Sequence, residues 1–187
     1  MKQTRSTRTI LVLLVISLLA GVMNLVDSAQ AQTTANGPYY ATPSWDQTLP
    51  AATRFVVLSN FGGAAVLDRE TGLVWERSLA SSVESWDSAR FTCANKTVGG
   101  RKGWRLPSMP ELASLIDPSV AFPGPTIPSG HPFIGVLGFF YWSATTWATS
   151  PGHAWILNSN NGILQAGDKT DTSLVWCVRG GSNADAY

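Results

Sequence analysis

Amide and carboxylate side chains gather near the C-terminal end of the sequence, downstream of a tryptophan. The set comprises Trp147, Asn158, Asn160, Asn161, Asp168 and Asp171. Amides and carboxylates hydrogen bond to sugar hydroxyls, and the flat face of an indole packs against a sugar ring. These residues are therefore a candidate ligand-binding site. Turn chemistry explains Asn160-Asn161-Gly162 equally well, as a hairpin loop, and calcium held by the same oxygens is a further alternative.

A second candidate site is a run of positive charge that contains no acidic residue. It comprises Lys96, Arg101, Lys102 and Arg105. Such a cluster could bind a polyanion, for example a sulfated or carboxylated polysaccharide. Arg105 is flanked by apolar residues, so we expect it to pack inward and to pair with Glu111 or Asp117. Arg105 is then structural, and Lys96, Arg101 and Lys102 remain as candidate polyanion-binding residues.

Neither catalysis nor metal binding has a recognisable signature. His131 and His153 are the only histidines, and no serine or cysteine lies in a G-x-S-x-G or similar nucleophile setting. A metal site needs more ligands than two cysteines and two well-separated histidines supply. We therefore predict no catalytic residue, no metal site and no cofactor.

Cys93 and Cys177 are the only cysteines. In an oxidising compartment two cysteines indicate one disulfide, with a single possible pairing. Closing so long a loop constrains the unfolded chain by on the order of 4–5 kcal/mol. Two free buried thiols are the alternative.

The first residues have the layout of a secretory leader. Lys2, Arg5 and Arg8 precede an apolar stretch from Ile10 to Val26, and Ala29-Gln30-Ala31 is an A-x-A cleavage signal. We predict a signal peptide over 1–31, cleaved after Ala31, and a secreted or periplasmic protein with no membrane segment in the mature form. A membrane anchor is the alternative, because the apolar stretch approaches spanning length.

Charge and composition divide the rest of the chain. The net charge is +1 over 187 residues and becomes −1 when the leader is removed, which argues against a nucleic-acid partner. Residues 32–53 are rich in Thr, Ala, Pro and Tyr and are predicted to form a linker or loosely packed arm. Residues 54–181 are predicted to form one domain, and residues 182–187 a tail.

Short apolar runs separated by glycine-rich or polar turns predict many short strands. The predicted strands are Phe55–Leu58, Ala64–Leu67, Leu73–Trp75, Phe139–Ser143, His153–Asn158, Gly162–Ala166 and Ser173–Arg179. The segment from Pro118 to Gly138 is rich in proline and glycine, which predicts a long irregular loop.

Two short helices are predicted among these strands. The first runs from Ser85 to Ala94, and its spacing places Cys93 on the same core-facing stripe as Trp86. The second begins with a capping box in which Ser108 is the N-cap and Glu111 is the third helical residue. Two helices among many strands predict an α+β domain.

Five motifs in a fixed order carry a family resemblance. They are Ala65–Asp68 with Thr71–Trp75, Ser85–Ala89 with Cys93, Gly99–Pro107 with Glu111–Leu112, Tyr141–Thr145, and Trp176–Gly180. In that order they closely resemble the Lcl C-terminal domain family, named after a bacterial collagen-like adhesin, over about residues 54–181. The resemblance implies an adhesin-like, glycan-binding module, although the collagen-like repeats of that adhesin are missing here.

A more distant resemblance links the chain to the sulfatase-modifying enzymes, which have a C-type-lectin-like fold. It rests on the Trp-led helix with Cys93, the Arg105-Leu106-Pro107 turn before the capped helix, and the closing strand with Cys177. It implies a C-type-lectin-like fold and supports the Cys93–Cys177 disulfide. The additional active-site cysteine pair of those enzymes is absent, and so are the sugar-holding motifs of calcium-dependent lectins.

Together these observations favour a secreted, non-catalytic binding module that recognises a polysaccharide or glycoconjugate. An envelope protein-interaction or structural module with no small ligand is the alternative. The expected partner is a glycan or another envelope or host surface molecule, and the oligomeric state is left open.

Overall fold

The computed structural model describes residues 49–181, which belong to one compact unit. The predicted signal peptide, the arm up to residue 48 and the tail lie outside the described residues. The helices are α1 (Ala51–Arg54), α2 (Trp86–Asn95) and α3 (Met109–Ala113), with a 3-10 turn at Ser59–Phe61. The strands are β1 (Phe55–Val57), β2 (Ala65–Asp68), β3 (Val74–Glu76), β4 (Val83–Glu84), β5 (Phe140–Thr146), β6 (His153–Asn158), β7 (Ile163–Asp168), β8 (Ser173–Leu174) and β9 (Val178–Arg179).

The strands form two sheets, and the α+β class is confirmed. The first sheet has the order β1-β2-β3-β9 and the second the order β4-β8-β5-β6-β7. Neighbouring strands are antiparallel except for β5 and β8, which are parallel. The C-type-lectin-like fold implied by the more distant resemblance stays a prediction. Within residues 49–181 no helix is long and apolar enough to cross a bilayer.

A tight turn and a buried ion pair stabilise the first sheet. β2 and β3 are joined by a turn in which the Gly72 N–H donates to the Asp68 carbonyl at 2.8 Å. Gly72 has a φ of 71°, a left-handed conformation that favours glycine. Arg54, at the end of α1, is fully buried and donates to both oxygens of the Asp68 carboxylate, at 2.9 and 2.7 Å. This ion pair fixes α1 against β2.

The predicted last strand is wrong in one respect, because the structure divides it in two. Ser173–Leu174 is β8 of the second sheet, and Val178–Arg179 is β9 of the first. The connecting residues Val175, Trp176 and Cys177 are all buried. Their side chains are held in the interior while the backbone crosses from one sheet to the other, so the apolar run could not reveal the crossing.

The capping box predicted for α3 is present. The Ser108 side chain accepts from the Glu111 backbone N–H, and the Glu111 carboxylate accepts from the Ser108 N–H at 2.8 Å. The helix ends at Ala113, and Leu115 beyond it is still buried. α2 begins after Ser85, as predicted.

The second sheet is packed on both faces, by a different core cluster on each. Tyr141 and Leu157 point to one cluster, which also holds Trp75 and Trp176. Trp142 and Ile156, which alternate with them along β5 and β6, belong to the other cluster, which holds Trp86, Trp104 and both cysteines. Successive side chains of a strand point to opposite faces, so this sheet separates the two clusters.

Candidate functional site

The predicted disulfide is confirmed. Cys93, on α2, is bonded to Cys177, in the connection between β8 and β9, with Cα atoms 5.5 Å apart. The two residues are 84 positions apart, and both are fully buried. The bond therefore ties α2 to the segment that links the two sheets.

The structure divides the predicted ligand-binding residues between two ends of one hairpin. Trp147 follows β5, and Asp168 pairs with His153 where β6 begins. Asn158 lies at the other end of β6, next to the turn that holds the two further asparagines. At about 3.4 Å per residue, the ends of this six-residue strand are separated by roughly 17 Å. These residues therefore do not form one site.

The asparagines are engaged in the β6–β7 turn. The Asn158 Oδ1 accepts from the Asn160 N–H at 3.0 Å, and the Asn161 Oδ1 accepts from the Ile163 N–H at 3.1 Å. The Asn160 carbonyl accepts from the Gly124 N–H at 2.8 Å, which ties the long loop to the turn. The hairpin-loop interpretation of the three asparagines accounts for these contacts.

The other end of the hairpin combines an aromatic cluster with two carboxylates. The half-buried Trp147 ring lies 5.8 Å from the His153 ring and 6.3 Å from that of Trp155, between centroids. Asp168 and Asp171 line one cleft of about 490 Å³, together with His153 and Gln165. Hydrogen bonds from the backbone and side chain of Thr170 hold the pKa of Asp168 below its ordinary value of 3.8.

Arg105 is paired, and the structure selects one of its two expected partners. Its guanidinium donates to both carboxylate oxygens of Glu111, at 2.7 and 2.6 Å, and to the Gly180 carbonyl at 2.7 Å. Burial by itself raises the pKa of Glu111, but hydrogen bonds from Arg105 and Ser108 outweigh it, and this pKa is lowered. The forked geometry suits a structural ion pair.

The remaining predicted cations differ in their surroundings. Lys96 donates to the Glu76 carboxylate at 2.8 Å, so its charge is compensated. Arg101 stacks over the Phe61 ring, with its guanidinium carbon 4.8 Å from the ring centroid. Lys102 is exposed. Its backbone carbonyl accepts from the Nε of Arg179 at 2.9 Å.

Arg179 is a cation at this surface that the sequence did not reveal. Its guanidinium lies over the same Phe61 ring as that of Arg101, at 6.0 Å, although it is 77 residues from Lys102 in the chain. The pairing of β9 with β3 on one side, and the backbone bridge between Val178 and Arg105 on the other, bring it there. We name the three residues Arg101, Lys102 and Arg179 the basic surface. No carboxylate of the described residues lies within 4.0 Å of their charged nitrogens.

The histidines take part in local contacts. The His131 Nδ1 accepts from the Phe133 N–H at 3.2 Å, and burial lowers the pKa of His131 from its ordinary value of 6.5. His153 Nδ1 and Ser150 Oγ are 2.8 Å apart and close the turn between β5 and β6. Among the described residues no three His, Cys, Asp or Glu side chains come together as a metal site.

Comparison with known families identifies the domain. The model of the Lcl C-terminal domain matches residues 64–179, a span that contains both cysteines, the basic surface and every strand from β2 to β9. A comparison with curated proteins finds no match. The five ordered motifs of the sequence lie in the matched span or at its edge. The chain therefore belongs to the Lcl C-terminal domain family.

Proposed function

We propose that this domain is a secreted, non-catalytic module that binds an acidic polysaccharide or glycoconjugate through its basic surface. The observation that carries the proposal is the convergence of Arg101, Lys102 and Arg179, with no carboxylate of residues 49–181 within 4.0 Å of their charged nitrogens. The family is associated with an adhesin, which agrees with an extracellular ligand. A disulfide is typical of proteins from an oxidising compartment, which supports the predicted leader.

The geometry of the basic surface favours an extended anionic chain over a single small ion. Arg101 and Arg179 are both held over Phe61, and the Nε of Arg179 is anchored to the Lys102 carbonyl. Anchoring these long side chains lowers the conformational entropy that is lost when a ligand binds. Arg101 and Arg179 share one ring and Lys102 adjoins both, so repeated sulfate or carboxylate groups of one chain can each contact a different cation.

Binding should depend on where the charges lie, which a pair of matched double variants can test. On a heparin column, Arg101→Ala/Lys102→Ala should elute at much lower salt than the wild type. We expect its affinity for heparin to fall about tenfold, which corresponds to a loss of about 1.4 kcal/mol in binding free energy. Arg69→Ala/Arg90→Ala removes the same charge from exposed positions elsewhere and should elute close to the wild type. Equal retention of all three proteins would remove the basic surface from consideration.

One observation favours a second candidate, an uncharged sugar in the cleft at the other end of the hairpin. Asp168, Asp171 and Gln165 supply carboxylate and amide groups at the rim of that cleft, and Trp147 stands near it. Sugar hydroxyls require such groups. In a glycan array, Asp171→Ala and Trp147→Ala should lose signal for neutral glycans, with the melting temperature unchanged. A folded Trp147→Ala protein with undiminished binding would exclude the tryptophan.

A further inference from the structure

The two edges of the second sheet differ in how well they are protected. β4, at one edge, is only two residues long and carries Glu84. β7, at the other edge, is six residues long and pairs along its whole length with β6. No strand of the described residues pairs with the outer side of β7. Alternate backbone N–H and C=O groups of β7 therefore point away from the sheet.

β7 lacks the features that usually keep an edge strand from pairing. Edge strands are commonly protected by charged side chains, proline or a β-bulge. From Ile163 to Gly167 there is no charge and no proline, and the pairing with β6 runs without a shift in register. Ile163 and Leu164 are 54% and 40% exposed. A long, uncharged and partly apolar edge is a template for another strand.

The surroundings of β7 extend this apolar surface. Phe122 is 69% exposed and Phe139 is 47% exposed. The Phe139 carbonyl accepts from the Ser159 N–H, and the loop after Phe122 is bonded to the Asn160 carbonyl through Gly124. Both phenylalanines therefore stand at the end of the hairpin where β7 begins. The sequence has no Asp, Glu, Lys or Arg between Asp117 and Asp168.

We propose that β7 pairs antiparallel with β7 of a second copy of this chain, about a two-fold axis, so that the two five-stranded sheets become one continuous sheet. The outward backbone groups of β7 can exchange their hydrogen bonds with water for those of a second strand, which lipid tails cannot supply. A two-fold contact uses the same surface on both copies, so it must not oppose like charges. The only charged residue of β7 is Asp168.

The charge pattern of β7 fits pairing with itself. In the antiparallel arrangement that places Gln165 opposite Gln165 of the second copy, each Asp168 faces Gly162, and the two Asp168 carboxylates lie at opposite ends of the shared ladder, roughly 20 Å apart. Every other position pairs uncharged residues. Like charges directly opposite each other would weaken the pair, and this arrangement has none. The contact does not involve the basic surface and does not rest on the proposed function.

Sedimentation velocity of the protein purified after export with its own leader tests the proposal. Between about 1 and 200 µM the wild type should shift from monomer to dimer. Ile163→Lys/Leu164→Lys adds two charges to exposed positions of β7 and should remain monomeric throughout. The matched control Val83→Lys, at a 45% exposed position on the other edge, should dimerise like the wild type. Melting curves establish that each variant is folded.

Hydrogen exchange on the unaltered protein gives an independent readout. Backbone amides of β7 should exchange more slowly at the high protein concentration than at the low one, while those of β4 should not change. A wild type that stays monomeric at every concentration overturns the proposal. So does a dimer that persists in Ile163→Lys/Leu164→Lys, or one without added protection at β7, since either would place the contact elsewhere.

Discussion

The charged and the uncharged parts of the domain are held together by different interactions. All Lys, Arg, Asp and Glu residues of the described chain lie in residues 54–117 and 168–179, and the intervening residues 118–167 contain none. The charged part has four ion-pair contacts and the disulfide. In the uncharged part, neutral side chains donate to and accept from the backbone instead.

Ser159 illustrates how the uncharged part is fixed. Its hydroxyl donates to the Leu137 carbonyl at 2.7 Å and accepts from the Phe139 N–H at 3.2 Å. The Tyr141 hydroxyl accepts from the Leu137 N–H at 2.9 Å. These bonds satisfy backbone groups of Leu137 and Phe139, just before β5 begins. The comparison teaches that a long proline- and glycine-rich segment with no charged residue of its own can be ordered when hydroxyls, together with the Arg77 guanidinium that donates to the Pro132 carbonyl, complete its hydrogen bonds.

The largest expected effect lies in the charged part. Replacing both Cys93 and Cys177 by alanine should lower the free energy of unfolding by about 4–5 kcal/mol, because the unfolded chain loses the constraint of an 84-residue loop. Urea unfolding measures the loss. As a check on the bond, denatured wild type should gain two thiol adducts only after reduction. Adducts without reduction would contradict the disulfide.

Breaking the buried ion pair should have the next largest effect. Arg54→Met leaves the Asp68 and Glu70 carboxylates in the interior without their cation, which should cost about 3–5 kcal/mol. The exposed neighbour Arg69→Ala should change stability by less than about 0.5 kcal/mol. A similar small loss for Arg54→Met would mean that the charged part does not depend on this pair.

The Ser159 hydroxyl tests whether neutral hydrogen bonds stabilise the uncharged part of the domain. Ser159→Ala removes the hydroxyl's bonds to Leu137 and Phe139 and should cost about 0.5–1.5 kcal/mol, the range for an ordinary hydrogen bond, because the Leu137 carbonyl still accepts from Tyr141 and from the Phe139 N–H. Ser81→Ala, at an exposed position, serves as the control and should be neutral in the same urea unfolding experiment. If Ser159→Ala is also neutral, buried hydroxyls are not what orders the uncharged part.

The smallest expected effect is a difference in pH dependence between the two parts. Burial lowers the pKa of His131 below its ordinary 6.5, so its contribution to stability is complete above pH 6.5 and declines as the pH falls toward the folded-state pKa. The pKa of Glu111 is lowered from 4.5, so its contribution is lost only at pH values below 4.5. His131→Gln should flatten the first decline of the melting temperature and Glu111→Gln the second. Unchanged profiles would contradict both assignments.

Local patterns predicted much of this fold. The capping box of α3, the start of α2 and the bounds of β6 follow from residue types within one or two turns of chain. The division of Ser173–Arg179 between two sheets does not, because buried Val175, Trp176 and Cys177 look the same in a strand and in a crossing. Arg179 was missed at the basic surface for a related reason, since only sheet pairing brings it beside Lys102.

The residues of the predicted carbohydrate site are separated by the geometry of a hairpin. Trp147 and Asp168 flank Asn158 in the sequence, but antiparallel strands return to the same end only after two reversals. Trp147 and Asp168 therefore share one end, and Asn158 occupies the other. Along consecutive antiparallel strands, residues at every second strand end lie close together in space. The periodicity of the sequence does not show where the chain reverses direction.

The order of the strands also determines when each native partner becomes available during synthesis. β1, β2 and β3 are synthesised first, yet β3 lies between β2 and β9 in the first sheet, and β9 follows Cys177. At about 5–20 residues per second, the 84 residues between the cysteines take roughly 4–17 s to synthesise. During that interval the Cys93 thiol has no native partner and β3 has an open edge. Until β9 has been synthesised, the Cys93 thiol can form a non-native disulfide, and the open edge of β3 can pair with another strand.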